Sequence, residues 1–130
     1  MGKRRVLIVE DNFDNRTIYS VLLEHAGYLV SQAPDGAEGV ALAKRECPDV
    51  ILMDLSMPVM DGWTALDRLK AEPSTADIPV FALSAHVLFE GDFERALQAG
   101  FSGYFTKPIE PKRVLEELRT RIGPPDDAQV

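Results

Sequence analysis

Several polar residues stand behind short apolar runs. Glu10 and Asp11 follow residues 6–9, Asp54 follows 50–53, Ser84 follows 80–83 and Lys107 follows 104–105. Each has an ordinary reading when taken alone. An acid between a strand and a helix is commonly a cap, a serine a loop residue, and a lysine a solvated charge. Together they form a chemical set. Three carboxylates brought to one place repel one another, which raises their proton affinity unless a cation sits among them, and hard oxygen donors select magnesium or calcium. Magnesium keeps several waters and takes one or two carboxylates plus phosphate oxygens, so a half-built cage suits phosphoryl transfer better than calcium storage. An aspartate can accept a phosphoryl group covalently, and Asp54 is the central candidate. A lysine ammonium and a serine hydroxyl could then hold the transferred group.

Such a set needs strands that end at a common edge. The chain supplies them by alternating short apolar runs, at residues 6–9, 29–33, 50–53, 80–83 and 104–105, with amphipathic stretches. The first helix is expected from a cap near Asp14 to Gly27, with Ile18, Val21 and Leu22 facing inward. The second follows Asp35-Gly36 and ends before Pro48, the third runs from about Trp63 to Ala71, and the fourth carries Phe89, Phe93, Ala96 and Leu97 and stops at Gly100. The last opens at Pro111, presents Val114, Leu115, Leu118 and Ile122 inward, and is stopped by Gly123-Pro124-Pro125. Strict alternation with nearly continuous apolar strands predicts an α/β fold, a doubly wound five-stranded parallel sheet covered on both faces. The commonest such order is 2-1-3-4-5, with function at the strands' carboxyl ends.

The composition sets limits. At 130 residues, 45% hydrophobic and 27% charged, the chain suits one folded domain. A net charge of −7 argues against direct nucleic-acid binding, which rewards clustered Lys and Arg. The single Cys47 leaves no intramolecular disulfide, as in a reducing compartment, and reads as a small buried hydrophobe. The apolar run behind the basic start is too short for a signal or a membrane span.

The segments Val-Leu-Ile-Val-Glu-Asp-Asn, Leu-Met-Asp-Leu-Ser-Met-Pro-Val-Met-Asp-Gly, Leu-Ser-Ala and Tyr-Phe-Thr-Lys-Pro resemble the bacterial response-regulator receiver signature, over nearly the whole chain. The resemblance implies a receiver domain over residues 1–123 with a short tail at 124–130, acting in the cytoplasm as a switch in a two-component phosphorelay. It would be a phosphoprotein that catalyses only its own magnesium-dependent phosphorylation and dephosphorylation. Asp11 would bind Mg2+ directly, Glu10 through water, Asp54 as both ligand and phosphoacceptor, and Ser56 through its main-chain carbonyl. Ser84, the Ala85 amide and Lys107 would contact the phosphoryl oxygens, Lys107-Pro108 would be cis, and Ser84 and Tyr104 would form the switch pair. Departures from the signature are Glu10 where Asp is commoner and Phe101 where a small residue is usual. Ser56 and His86 occupy positions that tune phosphoryl lifetime.

The partners implied are a histidine kinase or histidine phosphotransfer protein as donor and a downstream protein target, with neither nucleic acid nor membrane. Tyr19 and Leu23, with Phe13 before them, are expected to form the donor's docking patch, and Val87, Leu88, Phe89 and Tyr104 the output face. With only residues 124–130 after the last helix, output by association is expected, as in stand-alone receivers of the cell-division-regulator type. The nearest alternative is the receiver part of a hybrid histidine kinase. A haloacid-dehalogenase-like phosphatase would carry its nucleophile after the first strand, and a flavodoxin-like carrier would need a phosphate-cradling loop where Glu10-Asp11-Asn12-Phe13 stands. A binding module that never takes phosphate is the remaining alternative.

Overall fold

The computed structural model describes residues 3–84 and 92–125. Ala85, His86, Val87, Leu88 and Phe89, the side chain of Phe93, and residues 126–130 lie outside the described residues. In chain order the elements are β1 (Arg5–Val9), α1 (Phe13–His25), β2 (Leu29–Ala33), α2 (Gly36–Glu46), β3 (Val50–Asp54), α3 (Gly62–Ala71), β4 (Val80–Ser84), α4 (Asp92–Ala99), β5 (Gly103–Thr106) and α5 (Pro111–Ile122). All strand pairs are parallel, in the order β2-β1-β3-β4-β5.

Side chains alternate across the pleat and so build two cores. Leu7, Val9, Ile51, Met53, Val80 and Ala82 face α2, α3 and α4, where Val40, Ala43, Leu66, Leu69 and Ala96 meet them. Val6, Ile8, Val50, Leu52, Phe81 and Leu83 face α1 and α5, where Tyr19, Leu23, Val114 and Leu118 close the other side. Each fully buried Leu, Ile or Phe contributes about 1.5–3 kcal/mol relative to exposure. The central strands β3 and β4 are buried throughout, which is why they read as unbroken apolar runs. Among the described residues no helix is long and apolar enough to cross a membrane.

Among the described residues, side-chain caps start three helices. Asn12, Asp35 and Asp61 accept from the N–H groups of Asn15, Glu38 and Thr64 at 2.9, 2.9 and 2.8 Å. The cap of α1 is therefore Asn12, and the expected cap Asp14 instead lies in the first turn, where its charge complements the helix dipole.

Two further expectations are corrected. On α1 the buried residues are Tyr19, Ser20 and Leu23, while Ile18 and Val21 are each 59% exposed. Apolar residues at 18, 19, 21, 22 and 23 wrap most of the helix, so periodicity alone does not choose the inward wedge. Packing against the sheet selects the one containing 19 and 23. Leu23 thus cannot form a docking patch, and Tyr19 offers only an edge at the floor of a groove between α1 and the segment around Pro108, though Phe13 is exposed as expected. Cys47 is exposed, because it occupies the C-cap of α2 in the left-handed conformation (φ +48°), which turns its side chain out of the helix's buried face.

Candidate functional site

The register brings the polar set to one edge. Glu10 follows the pair Val9↔Met53, Asp54 pairs with Leu83, and Ser84 pairs with Thr106, next to Lys107. The ladder continues past the strand ends through Glu10 N–H to the Ala33 carbonyl (3.1 Å), Leu55 N–H to Leu83 (3.0 Å) and Lys107 N–H to Ser84 (2.7 Å). These bonds hold the backbone of the carboxyl edge, so the side chains there are set on rigid strands.

Lys107 joins the carboxylates. Its Nζ lies 2.6 Å from Glu10 Oε1 and 3.0 Å from Asp54 Oδ2. Asp54 Oδ1 accepts from the Ser56 N–H at 3.1 Å, and Glu10 Oε2 from the Asn12 N–H at 3.2 Å. Glu10, Asp11 and Asp54 each offer an oxygen within 4.8 Å of the others. Glu10 and Asp54 are buried and Asp11 is exposed, so the cluster opens to solvent on the Asp11 side.

Glu10 shows the electrostatic tension most clearly. Burial pushes its carboxyl from 4.5 up to about 7; Lys107 and the Asn12 N–H oppose the rise, and Asp54 adds to it. Burial opposes the charge on Lys107 too, yet the close contacts and charges of Glu10 and Asp54 together outweigh it and hold the ammonium above its usual range. Glu10 Oε1 is in contact with that ammonium, but the ammonium is poorly directed, and the buried oxygen has no well-aligned hydrogen-bond donor. A buried carboxylate oxygen so placed in an all-oxygen set suits a hard divalent cation.

The remaining expected residues fall around this centre. Ser84 is buried at the end of β4. Ser56 is exposed and reaches Asp54 through its main chain. Tyr104 is partly buried on the core face shared with α4, and Lys107-Pro108 is cis. Phe101, the departure noted in sequence, is buried and meets Trp63 edge to face at 5.4 Å, so it fills the space between α3 and β5. Gly62 explains the Asp-Gly of the third-strand segment: a β-carbon there would press into the Asp54 carbonyl oxygen.

Three residues near the site take roles there that the sequence did not assign to them. Asn12 both caps α1 and offers its N–H to Glu10. Arg16 donates Nη1 to the Glu10 carbonyl at 2.7 Å. Tyr19 lies beneath the cluster, its hydroxyl held above its usual pKa chiefly by burial, with Lys107 lowering and Glu10 and Asp54 raising it. The spacing of Asn12 and Arg16 from Glu10 was a usable signal, since both fall within the first turns after the loop.

The sequence matches the response regulator receiver domain over residues 6–119. The polar-differentiation response regulator DivK of Brucella anthropi is 36% identical over 120 residues, which is 92% of this chain and 97% of that protein. The DNA-binding dual master transcriptional regulator RpaA of Synechocystis is 39% identical over 118 residues, 91% of this chain, which spans about half of that protein (48%). Among solved structures, the receiver domain of the sensor histidine kinase PA1611 from Pseudomonas aeruginosa, with a magnesium ion coordinated in its active site cleft, superposes with a TM-score of 0.84. It is 37% identical, covering 95% of this chain and 99% of that one. The chain belongs to the response regulator receiver domain family, the signalling switches of two-component systems.

Proposed function

We propose that the chain accepts a phosphoryl group on Asp54 from a histidine kinase or a histidine phosphotransfer protein, and signals by changing the surface it offers to a protein target. The observation that carries this reading is the pairing of buried Asp54 with Lys107 at 3.0 Å, beside two further carboxylates. One oxygen of Asp54 bonds to phosphorus as the donor's phosphorus–nitrogen bond breaks, and the bonding pair leaves on the imidazole. Lys107 holds a phosphoryl oxygen as a point charge, with Ser84 and the Ala85 amide taking another. Glu10, Asp11, Asp54 and the Ser56 carbonyl would hold the magnesium ion. When bound, that ion screens the charge of the carboxylates and of the incoming phosphoryl group.

The donor's approach is supported by the exposed side of α1. Phe13, Ile18 and Val21 are exposed there, and Ile18 lines an apolar groove of about 440 Å3 with Leu22, Pro108, Ile109 and Pro111 that reaches Lys107. A helical donor can lay an apolar face in such a groove while its histidine meets the carboxylates. The receiver in this reading acts as a switch whose only chemistry is on itself, and the likeness to RpaA and PA1611 is of receiver parts within larger proteins.

The test is to trap the acceptor. After incubation with a phosphodonor and magnesium, borohydride reduction converts an aspartyl phosphate to homoserine, and peptide mass spectrometry locates it. Homoserine at position 54 is the expected outcome; modification only elsewhere contradicts the reading.

A further inference from the structure

Arg16 lies in the first turns of α1, and its Nη1 donates to the main-chain carbonyl of Glu10 at 2.7 Å. Glu10 stands one residue beyond the last β1–β3 pair, Val9↔Met53, so its carbonyl has left that ladder while the residue itself is fully buried. A buried carbonyl there needs a donor, and the arginine supplies it. The Arg16 main-chain N–H makes the first helical bond of α1, to the Asn12 carbonyl at 3.0 Å, so the side chain reaches back from a residue fixed in the helix across the loop that carries Asp11. The Phe13 ring lies 5.6 Å from the guanidinium carbon and covers it, which gives this exposed aromatic a contact within its own chain.

We propose that Arg16 is a positioning residue for the acidic cluster: by holding the Glu10 main chain against α1, it sets the spacing of the Glu10 and Asp11 carboxylates from Asp54 and thereby the affinity for a divalent cation. This rests on reading the three carboxylates as cation ligands. The guanidinium's positive charge works against cation binding. It is partly exposed, however, and pointed at a carbonyl instead of a carboxylate, so water screens it, whereas the spacing of the ligands acts on the cation directly.

Calorimetric titration of the whole chain with magnesium chloride tests this, for wild type, Arg16→Ala, Arg16→Lys and Arg16→Gln, beside melting curves in metal-free buffer. Loss of an outer partner of a metal ligand typically weakens affinity by 10-fold or more, so R16A should bind magnesium about 10-fold more weakly. R16K keeps the charge and one long donor and should recover part of the loss, which a general loosening of α1 would not produce. If R16A does not fold, the comparison passes to R16K and R16Q, and R16Q, too short to reach the carbonyl, must bind more weakly. Unchanged affinity with a lowered melting temperature would make Arg16 merely structural, and tighter binding would show that its charge dominates. Either overturns the inference alone; wild type that gives no magnesium response overturns the cation reading as well.

Discussion

Lys107 stands closer to Glu10, at 2.6 Å, than to Asp54, at 3.0 Å. The lysine therefore answers two buried carboxylates at once and occupies the charge-balancing place that a cation would share. Removing it should expose that dependence. Breaking a sealed buried pair costs roughly 3–5 kcal/mol, but Glu10 can escape part of the penalty by taking a proton, so Lys107→Met should lose about 2 kcal/mol in metal-free buffer near neutral pH. A divalent cation can replace the missing ammonium, so magnesium should raise the melting temperature of the variant more than that of wild type. Equal increments would mean that lysine and cation do not answer the same charges.

Glu10 should leave a mark on stability against pH. Its folded carboxyl titrates at about 7 and an unfolded one at about 4.5, so between these values the fold keeps a proton that the unfolded chain has lost. Stability from this residue is therefore highest at the acid end of that window, falls as pH rises through it and levels off above about 7. The raised Lys107 acts in the same sense but in a higher window: the stability it adds is lost as the lysine itself deprotonates, at alkaline pH, and so does not alter the slope near neutrality. Denaturant melts of wild type and Glu10→Gln without divalent cations should show the extra downward slope in wild type alone. Parallel curves would contradict the burial argument.

Val59 sits at φ +69°, in a tight turn closed by the Met60 N–H on the Pro58 carbonyl at 2.7 Å, and its side chain is 84% exposed. A β-branched residue in that conformation stores about 1–3 kcal/mol of strain and here gains no burial in return. Val59→Asn, which tolerates positive φ, should raise stability by about 1 kcal/mol and the melting temperature by about 4 °C. A fall would mean that the valine makes a contact worth more than the strain.

The fold was legible because the central strands are buried on both faces and spell themselves out as apolar runs, and because Gly27, Pro48, Gly100 and Gly123 stand where helices end. Glu10, Asp11, Asp54 and Lys107 were legible for a related reason: a parallel sheet turns the residue after each strand into a member of one edge. What escaped depended on orientation. The apolar side chains of α1 encircle too much of the helix for sequence to tell Tyr19 and Leu23, which are buried, from Ile18 and Val21, which are exposed. Cys47 was misplaced because a left-handed cap is set by the chain's path toward Pro48 and not by the residue's apolar character. Arg16 was not singled out because its partner is a main-chain carbonyl, so only its place in the first turns after the loop pointed to it.

The most direct test of the central claim is the intact mass of the purified protein after incubation with acetyl phosphate and magnesium, beside an Asp54→Asn control and a metal-free control. A gain of one phosphoryl group that disappears in both controls is the predicted result. An equal gain in the Asp54→Asn protein, or no gain in wild type with either acetyl phosphate or a phosphorylated histidine donor, would contradict it.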